Sequence, residues 1–298
     1  DYGLEFVLVG AADSGGAAID PAGLDPARVR DIKLARQSVC TYAGGGKAGM
    51  SALEMVRAVP ADMLVDASPT NLQHGEPGLS CVRAALGAKQ HVVMANKGPL
   101  VLAFGELTGL AQKMGVKLLY SGTVAGGLPT VNLGRRDLAG TTVLRVEGIF
   151  NSTTNYILTT MAETACSFAE ALAEAQRRGI AEADPALDVD GLDAAAKLVI
   201  VANSVLDRPT ALADVEIIGV RGVTSEALAA ARRAGRVLKL LALAERVGDD
   251  YRLSVRPTEL DAAHPLARLG PWEMGVRYTT DTMGVIYAAI DEPDPLPT

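Results

Sequence analysis

The chain has 298 residues, 49% hydrophobic and 21% charged, with a formal net charge of -7. That balance excludes an intrinsically disordered chain and a basic nucleic-acid-binding surface. No uncharged apolar run reaches the length of about 18 residues that a membrane span requires. Cys40, Cys81 and Cys166 are too widely spaced for a disulfide framework or a metal knuckle, as expected of a protein from a reducing cytoplasm.

In chain order, Phe6–Ala12 (FVLVGAA) reads as a buried strand ending at Asp13, and residues 13–50 as loop with a short helix. Met63–Asp66 is a strand, 76–88 a helix, His91–Ala95 a strand, Pro99–Met114 a helix and Val116–Tyr120 a strand. Pro99 suits a first helical turn and Gly115 the stop after a last one. Short apolar strands alternating with helices predict an α/β domain with a parallel sheet covered on both faces. Such sheets bind ligands at the carboxyl ends of their strands, here Asp13, Ala67–Asn71 and Asn96–Lys97. The pattern changes near residue 130, so we expect one domain over 1–130 and an α+β domain over 131–298. In the second, strands are expected near Val143–Ile149 and at 214–223, 251–256, 276–280 and 284–290, with helices near 153–164, 168–178 and 192–206. Residues 225–246 are ambiguous: the first half has helical spacing, and VLKLLALAERV after Gly235 resembles a strand.

The most informative segment is GIAEADPALDVDGLDAAAK, residues 179–197, with carboxylates at Glu182, Asp184, Asp188, Asp190 and Asp193 and no cation before Lys197. Asp193 and Lys197 are four apart and share a helix face. A solvated surface pair has the same spacing, but LVIVANSVL follows, a run apolar on nearly every side. A lysine in such a helix loses hydration worth about several kcal/mol unless carboxylates answer it. A buried ammonium among carboxylates suits proton transfer or a zwitterionic ligand. Lys97 lies just past a sheet strand. GTVAGGLPT (122–130) lets backbone approach a ligand or ion. In GIFNSTTNYIL (148–158) five consecutive polar residues, Asn151–Asn155, exceed what one helix cap needs. AGGGKAG (43–49) lacks phosphate-loop spacing, and His74, His91 and His264 lack zinc spacing.

ANKGPL (95–100), GTVAGGLP (122–129), GIFNSTTNYIL and above all residues 179–197 together resemble the homoserine dehydrogenases. HPLA (264–267) and YTTDTMG (278–284) resemble later family segments, and the similarity runs from Glu5 to about Met283. The resemblance implies a Rossmann-type domain, a substrate and dimerisation domain, and a homodimer. It implies NAD(P)-dependent interconversion of L-homoserine and L-aspartate-4-semialdehyde, in threonine, methionine and isoleucine biosynthesis. Lys197 falls on the acid/base lysine, Lys97 on a second active-site lysine, and Asp193 beside Lys197 as its tuning carboxylate. Glu182, Asp188 and Asp193 are then the substrate-binding carboxylates; Asp13, Ser68, Lys97 and Gly179 contact NAD or NADP. The carbonyls of Val124, Gly126 and Leu128 match a monovalent-cation site (Na or K), although the family's glutamate at its start is Ser121 here. An acid at Asp13 favours the ribose hydroxyl of NAD, so NAD is expected to serve at least as well as NADP.

The family's glycine-rich first βα unit does not occur after Asp1, and FVLVGAADS looks like a second Rossmann strand. We therefore expect an incomplete record lacking roughly 20–40 preceding residues, judged from the size of a βαβ unit. Where the family tends to carry a Gly-Ala-Gly segment near the nicotinamide, the corresponding run here is AAIDEPDPLPT (288–298), and neither the return helix nor a C-terminal regulatory domain is expected. Two alternatives stay open: a dehydrogenase of a related amino-acid aldehyde, and a catalytically silent paralogue.

Overall fold

MLVD and HVVM are short, rich in β-branched residues and separated by one helix length, which suits neighbouring parallel strands. The computed structural model describes residues 3–291 and pairs them in that way. The last seven residues of AAIDEPDPLPT lie outside the described residues. The chain divides into two compact units between Leu119 and Tyr120, ahead of the change of pattern near residue 130. Hydrogen bonds account for the earlier division. Arg135 donates to the Tyr120 phenol (2.8 Å) and Tyr278 to the Thr130 carbonyl (3.0 Å), so the glycine-rich turn belongs to the second unit.

In the first unit, β1 (Gly10–Asp13), β2 (Gly16–Ile19), α1 (Pro26–Leu34), β3 (Gly46–Ala48) and α2 (Ala52–Ala58) precede the parallel sheet. That sheet is β4 (Met63–Asp66), β5 (His91–Met94) and β6 (Leu118–Leu119), joined by α3 (Gly78–Gly87) and α4 (Gly98–Met114). The helices bury Val82, Ala85, Leu86, Leu100 and Leu107 completely.

The expected strand over Phe6–Ala12 forms differently. It begins only at Gly10, runs antiparallel to β2 in a sheet with β3, and leaves Phe6 74% exposed. Asp13 accepts the Gly15 N–H and Gly16 takes φ +148°, closing a tight reversal. Such a hairpin closes at far lower entropic cost than a parallel pairing, which needs a crossover. Leu8 and Val9 give their carbonyls to Leu24 and Asp20, and Leu8 packs with Ala18, Leu24, Val39 and Tyr42 in a small separate core. Among the described residues β4 pairs with β5 alone, and Val65 is 63% exposed.

In the second unit a short helix, α5 (Thr130–Asn132), precedes β7 (Val143–Ile149), α6 (Ser152–Thr164), α7 (Phe168–Arg177), α8 (Ala186–Val189) and α9 (Leu192–Val205). Then come β8 (Val215–Ile217), α10 (Ser225–Arg233), β9 (Arg236–Val247), β10 (Asp250–Asp261), β11 (Glu273–Thr280) and β12 (Val285–Asp291). They make one sheet in the order β12-β11-β7-β9-β10-β8, antiparallel except for β10 with β8. The ambiguous stretch resolves as α10 and β9, broken at Gly235 with φ +72°. The strand expected over 214–223 stops at Ile217, because Gly219 must pass against the Asp190 backbone, 2.6 Å from where a Cβ would sit.

Candidate active site

Helix α9 starts after Gly191, whose left-handed φ of +82° turns the chain out of α8. Asp193 sits in its first turn, where a carboxylate complements the helix dipole, and one turn later comes Lys197. Ala194, Ala195, Ala196 and Leu198 to Ala202 are buried, so from Leu192 to Ala202 the helix is apolar all round apart from this pair. The Lys197 ammonium donates to Asp193 Oδ2 at 2.7 Å and to the Phe150 carbonyl at 2.6 Å. Its side chain is 13% exposed. These two acceptors offset the desolvation cost, and the third N–H can serve a ligand oxygen.

The Phe150 carbonyl comes from the junction of β7 and α6, where Asn151 is the N-cap. Asn151 Oδ1 accepts the Thr154 N–H (2.8 Å), while its Nδ2 donates to Asp188 (2.6 Å) and to Asp193 (2.9 Å). One carboxamide thus caps a helix and holds two carboxylates. Burial, then the neighbouring Asp193, pushes the Asp188 carboxyl above its ordinary range.

Asp193 and Lys197 therefore pair as their spacing predicts, and Asn151 brings Asp188 to them. Glu182 does not join that hydrogen-bonded cluster: its side chain is exposed. Its loop is held through backbone, with Gln176 donating to the Glu182 and Ala183 carbonyls and Thr153 to the Ile180 carbonyl. Gly179, exposed and with φ +73°, ends the turn after α7. The Phe150 carbonyl is a site group that the residue patterns did not single out, and Asn151 was marked only as part of a polar run, with no role given. The signal for Asn151 lay in the polar run 151–155, longer than a cap requires.

In the turn after Tyr120, Ala125 and Gly126 both take left-handed φ, +59° and +57°. The Leu128 N–H donates to the Ala125 carbonyl at 3.0 Å, closing a turn around Gly126. The Leu128 carbonyl accepts the Thr130 N–H at 2.7 Å, which leaves it a second lone pair. Among the described residues no group of three or more His, Cys, Asp or Glu is placed to hold a metal ion.

In the first unit the carboxyl ends of β4 and β5 carry Asp66, Ser68, Asn96 and Lys97. The Ser68 hydroxyl donates to Asp66 at 2.6 Å, and Asn96 donates to Ser68 at 3.0 Å. Lys97 is the N-cap residue of α4. Ser68 and Asn96 spend these donors on one another and on Asp66, so the cluster is a fixed polar platform at the sheet edge, where such folds bind ligands. Asp13 ends β1 but serves its own chain. It accepts from Lys33 (2.6 Å), the Ser38 hydroxyl (2.6 Å), and the Val39 and Gly15 N–H groups (3.0 Å each). Burial raises its carboxyl, yet these four donors together hold it well below the carboxylate range. No helix among the described residues is long and apolar enough to cross a membrane.

The family model for homoserine dehydrogenase matches residues 129–298. A homoserine dehydrogenase of Methanocaldococcus jannaschii is 40% identical over 88% of this chain and 76% of its own length. An NAD(+)-dependent homoserine dehydrogenase of Pseudomonas canavaninivorans is 35% identical over 96% of this chain and 81% of its own. The solved structure of a hyperthermophilic archaeal homoserine dehydrogenase in complex with NADPH, 25% identical, superposes with a TM-score of 0.84 over 98% of this chain and 84% of that one. By sequence and by fold, the chain belongs to the homoserine dehydrogenase family of NAD(P)-linked oxidoreductases.

Proposed function

We propose that the protein interconverts L-homoserine and L-aspartate-4-semialdehyde, in the biosynthesis of threonine, methionine and isoleucine. The observation that carries this reading is the Lys197 ammonium, held at 2.7 Å by Asp193 and 2.6 Å by the Phe150 carbonyl on a helix whose buried residues are mostly apolar. Reducing an aldehyde requires a hydride at carbon and a proton at oxygen. The nicotinamide of NAD or NADP, when bound, supplies the hydride. Lys197 delivers the proton to the carbonyl oxygen, and in the reverse direction takes it from the hydroxyl. Asp193 orients the ammonium through their hydrogen bond and, with Asp188 and Glu182, receives the substrate's own ammonium. Holding the substrate in one orientation supplies much of the rate.

In this reading residues 1–130 bind the dinucleotide and 131–298 bind substrate and dimerise. Ser68, Lys97 and Gly179 contact the cofactor, and Lys97 is also the second ammonium of the reaction. Asp13 binds the ribose only by sharing an oxygen now given to Lys33 or Ser38. The carbonyls of Val124, Gly126 and Leu128 hold a monovalent cation, Na or K. The homodimer reading is supported by β12, an edge strand with Val285 and Tyr287 exposed, since an apolar edge invites pairing.

The test is a substrate profile of NADH and NADPH oxidation with aspartate semialdehyde, its one-carbon-longer homologue, and an aldehyde without an amino group. Aspartate semialdehyde is expected to be turned over best. Glu182→Gln is expected to weaken homoserine more than the cofactor, because it removes a charge-assisted hydrogen bond to the ammonium. Preference for either of the other aldehydes would contradict the assignment.

A further inference from the structure

Asp66 is 5% exposed, and burying a carboxylate is costly unless hydrogen bonds compensate. Packing alone does not require an acid at the end of β4. Its oxygens are divided. Oδ1 accepts the Ser68 N–H (3.0 Å) and hydroxyl (2.6 Å), and Oδ2 accepts Asn96 Nδ2 (3.3 Å), which also donates to the Ser68 oxygen that Asp66 orients (3.0 Å). Asn96 is 2% exposed, and its Oδ1 accepts the Gly98 N–H at 2.9 Å. That last bond spans Lys97: a side chain bonded to the N–H two residues on closes an Asx turn around the residue between them. The surroundings close tightly on the pair. A Cβ at Gly78 would lie 2.5 Å from Asn96 Nδ2 and 2.6 Å from Asp66 Oδ2, and one at Gly98 would lie 2.6 Å from the Asn71 carbonyl.

We propose that Asp66 is a positioning residue: it fixes which way the Asn96 carboxamide faces, and Asn96 thereby fixes the backbone of Lys97 at the start of α4. The proposal rests on the reading that Lys97 takes part in the reaction. Its chemistry is specific. In Asp66→Asn the new carbonyl must still accept from Ser68, so the new amino group faces the Asn96 amino group. The two amino groups repel, so Asn96 must turn or shift away at the expense of its bonds to Ser68 and to the Gly98 N–H, and the turn around Lys97 loses its fixed acceptor. In the reciprocal double variant, Asp66→Asn with Asn96→Asp, a donor again meets an acceptor and Gly98 again has a carboxyl oxygen.

The experiment measures kcat and KM of Asp66→Asn, the reciprocal double variant, Lys97→Ala, and Lys97→Ala combined with Asp66→Asn, using NAD(P)H oxidation by aspartate semialdehyde. Asp66→Asn is expected to lower kcat by roughly 10- to 100-fold, the scale of a misplacement of about 1 Å, with substrate KM little changed. The reciprocal variant is expected to recover most of that loss. In the Lys97→Ala background, Asp66→Asn is expected to change kcat by less than about twofold, because its effect passes through Lys97. A full loss on top of Lys97→Ala, or wild-type kcat in Asp66→Asn, would overturn the role of Asp66 and leave Lys97 standing. Wild-type kcat in Lys97→Ala would overturn both.

Discussion

The Asn151 carboxamide divides its two ends between a helix and a pair of carboxylates, and the two roles separate experimentally. Asn151→Ser keeps a capping oxygen for the N–H groups of α6 but cannot reach Asp188 and Asp193. Its stability is expected to stay close to wild type while homoserine KM rises. Asn151→Ala is expected to lose about 1 kcal/mol as well, the usual worth of a cap. Urea unfolding and steady-state kinetics on both variants check this; equal stability loss in the two would contradict it. Lys239, 3% exposed, donates to Asn155 Oδ1 (2.6 Å) and the Leu269 carbonyl (2.9 Å). Burial, partly countered by Glu273 and Glu163, pushes its ammonium down to about 8 from 10.5. Folding therefore disfavours the charged form, and that cost is fully present below pH 8. It is released as pH rises from 8 towards 10.5, because there the unfolded chain binds more protons. Relative to Lys239→Met, wild type is expected to gain stability over that window with a slope of up to about 1.4 kcal/mol per pH unit. Parallel stability profiles in the two proteins would contradict this.

At the scale of elements, α9 depends on how the chain enters it. Gly191→Ala forces an L side chain to φ +82° and brings its Cβ to 3.2 Å from Ile217. A loss of about 1–3 kcal/mol is expected in chemical denaturation with an unchanged m value, from backbone strain; an unchanged midpoint would contradict it. Elements with strong periodicity, such as α4, α6 and α9, are legible in the residues to within one or two positions. β2 (GAAI) and β3 (GKA) are not, because short runs of Gly and Ala carry neither alternation nor bulk. Phe6–Ala12 misleads for another reason. Apolar β-rich composition does not reveal a strand's partner, and the Asp13–Gly16 reversal supplies a nearer one than the parallel sheet.

For the whole molecule, the sheet edge of the first unit and the β7–α6 junction of the second carry the groups assigned to chemistry. Asp193 and Lys197 were legible because acid-lysine spacing ahead of an apolar run leaves few alternatives to a buried pair, whereas Asp188, on the preceding α8, was marked only by the acidic composition of residues 179–197. The Phe150 carbonyl was not, since backbone acceptors have no residue signature, and Asp13's saturation by Lys33 and Ser38 depends on contacts 20 and 25 residues away. The central claim is that Lys197 moves the proton. It is tested most directly by the turnover of folded Lys197→Ala with aspartate semialdehyde and saturating NAD(P)H, beside wild type. A fall of roughly 10²- to 10⁴-fold, about 3–5 kcal/mol of barrier, is predicted. Turnover within a few-fold of wild type, in a variant with the same melting behaviour, would contradict it.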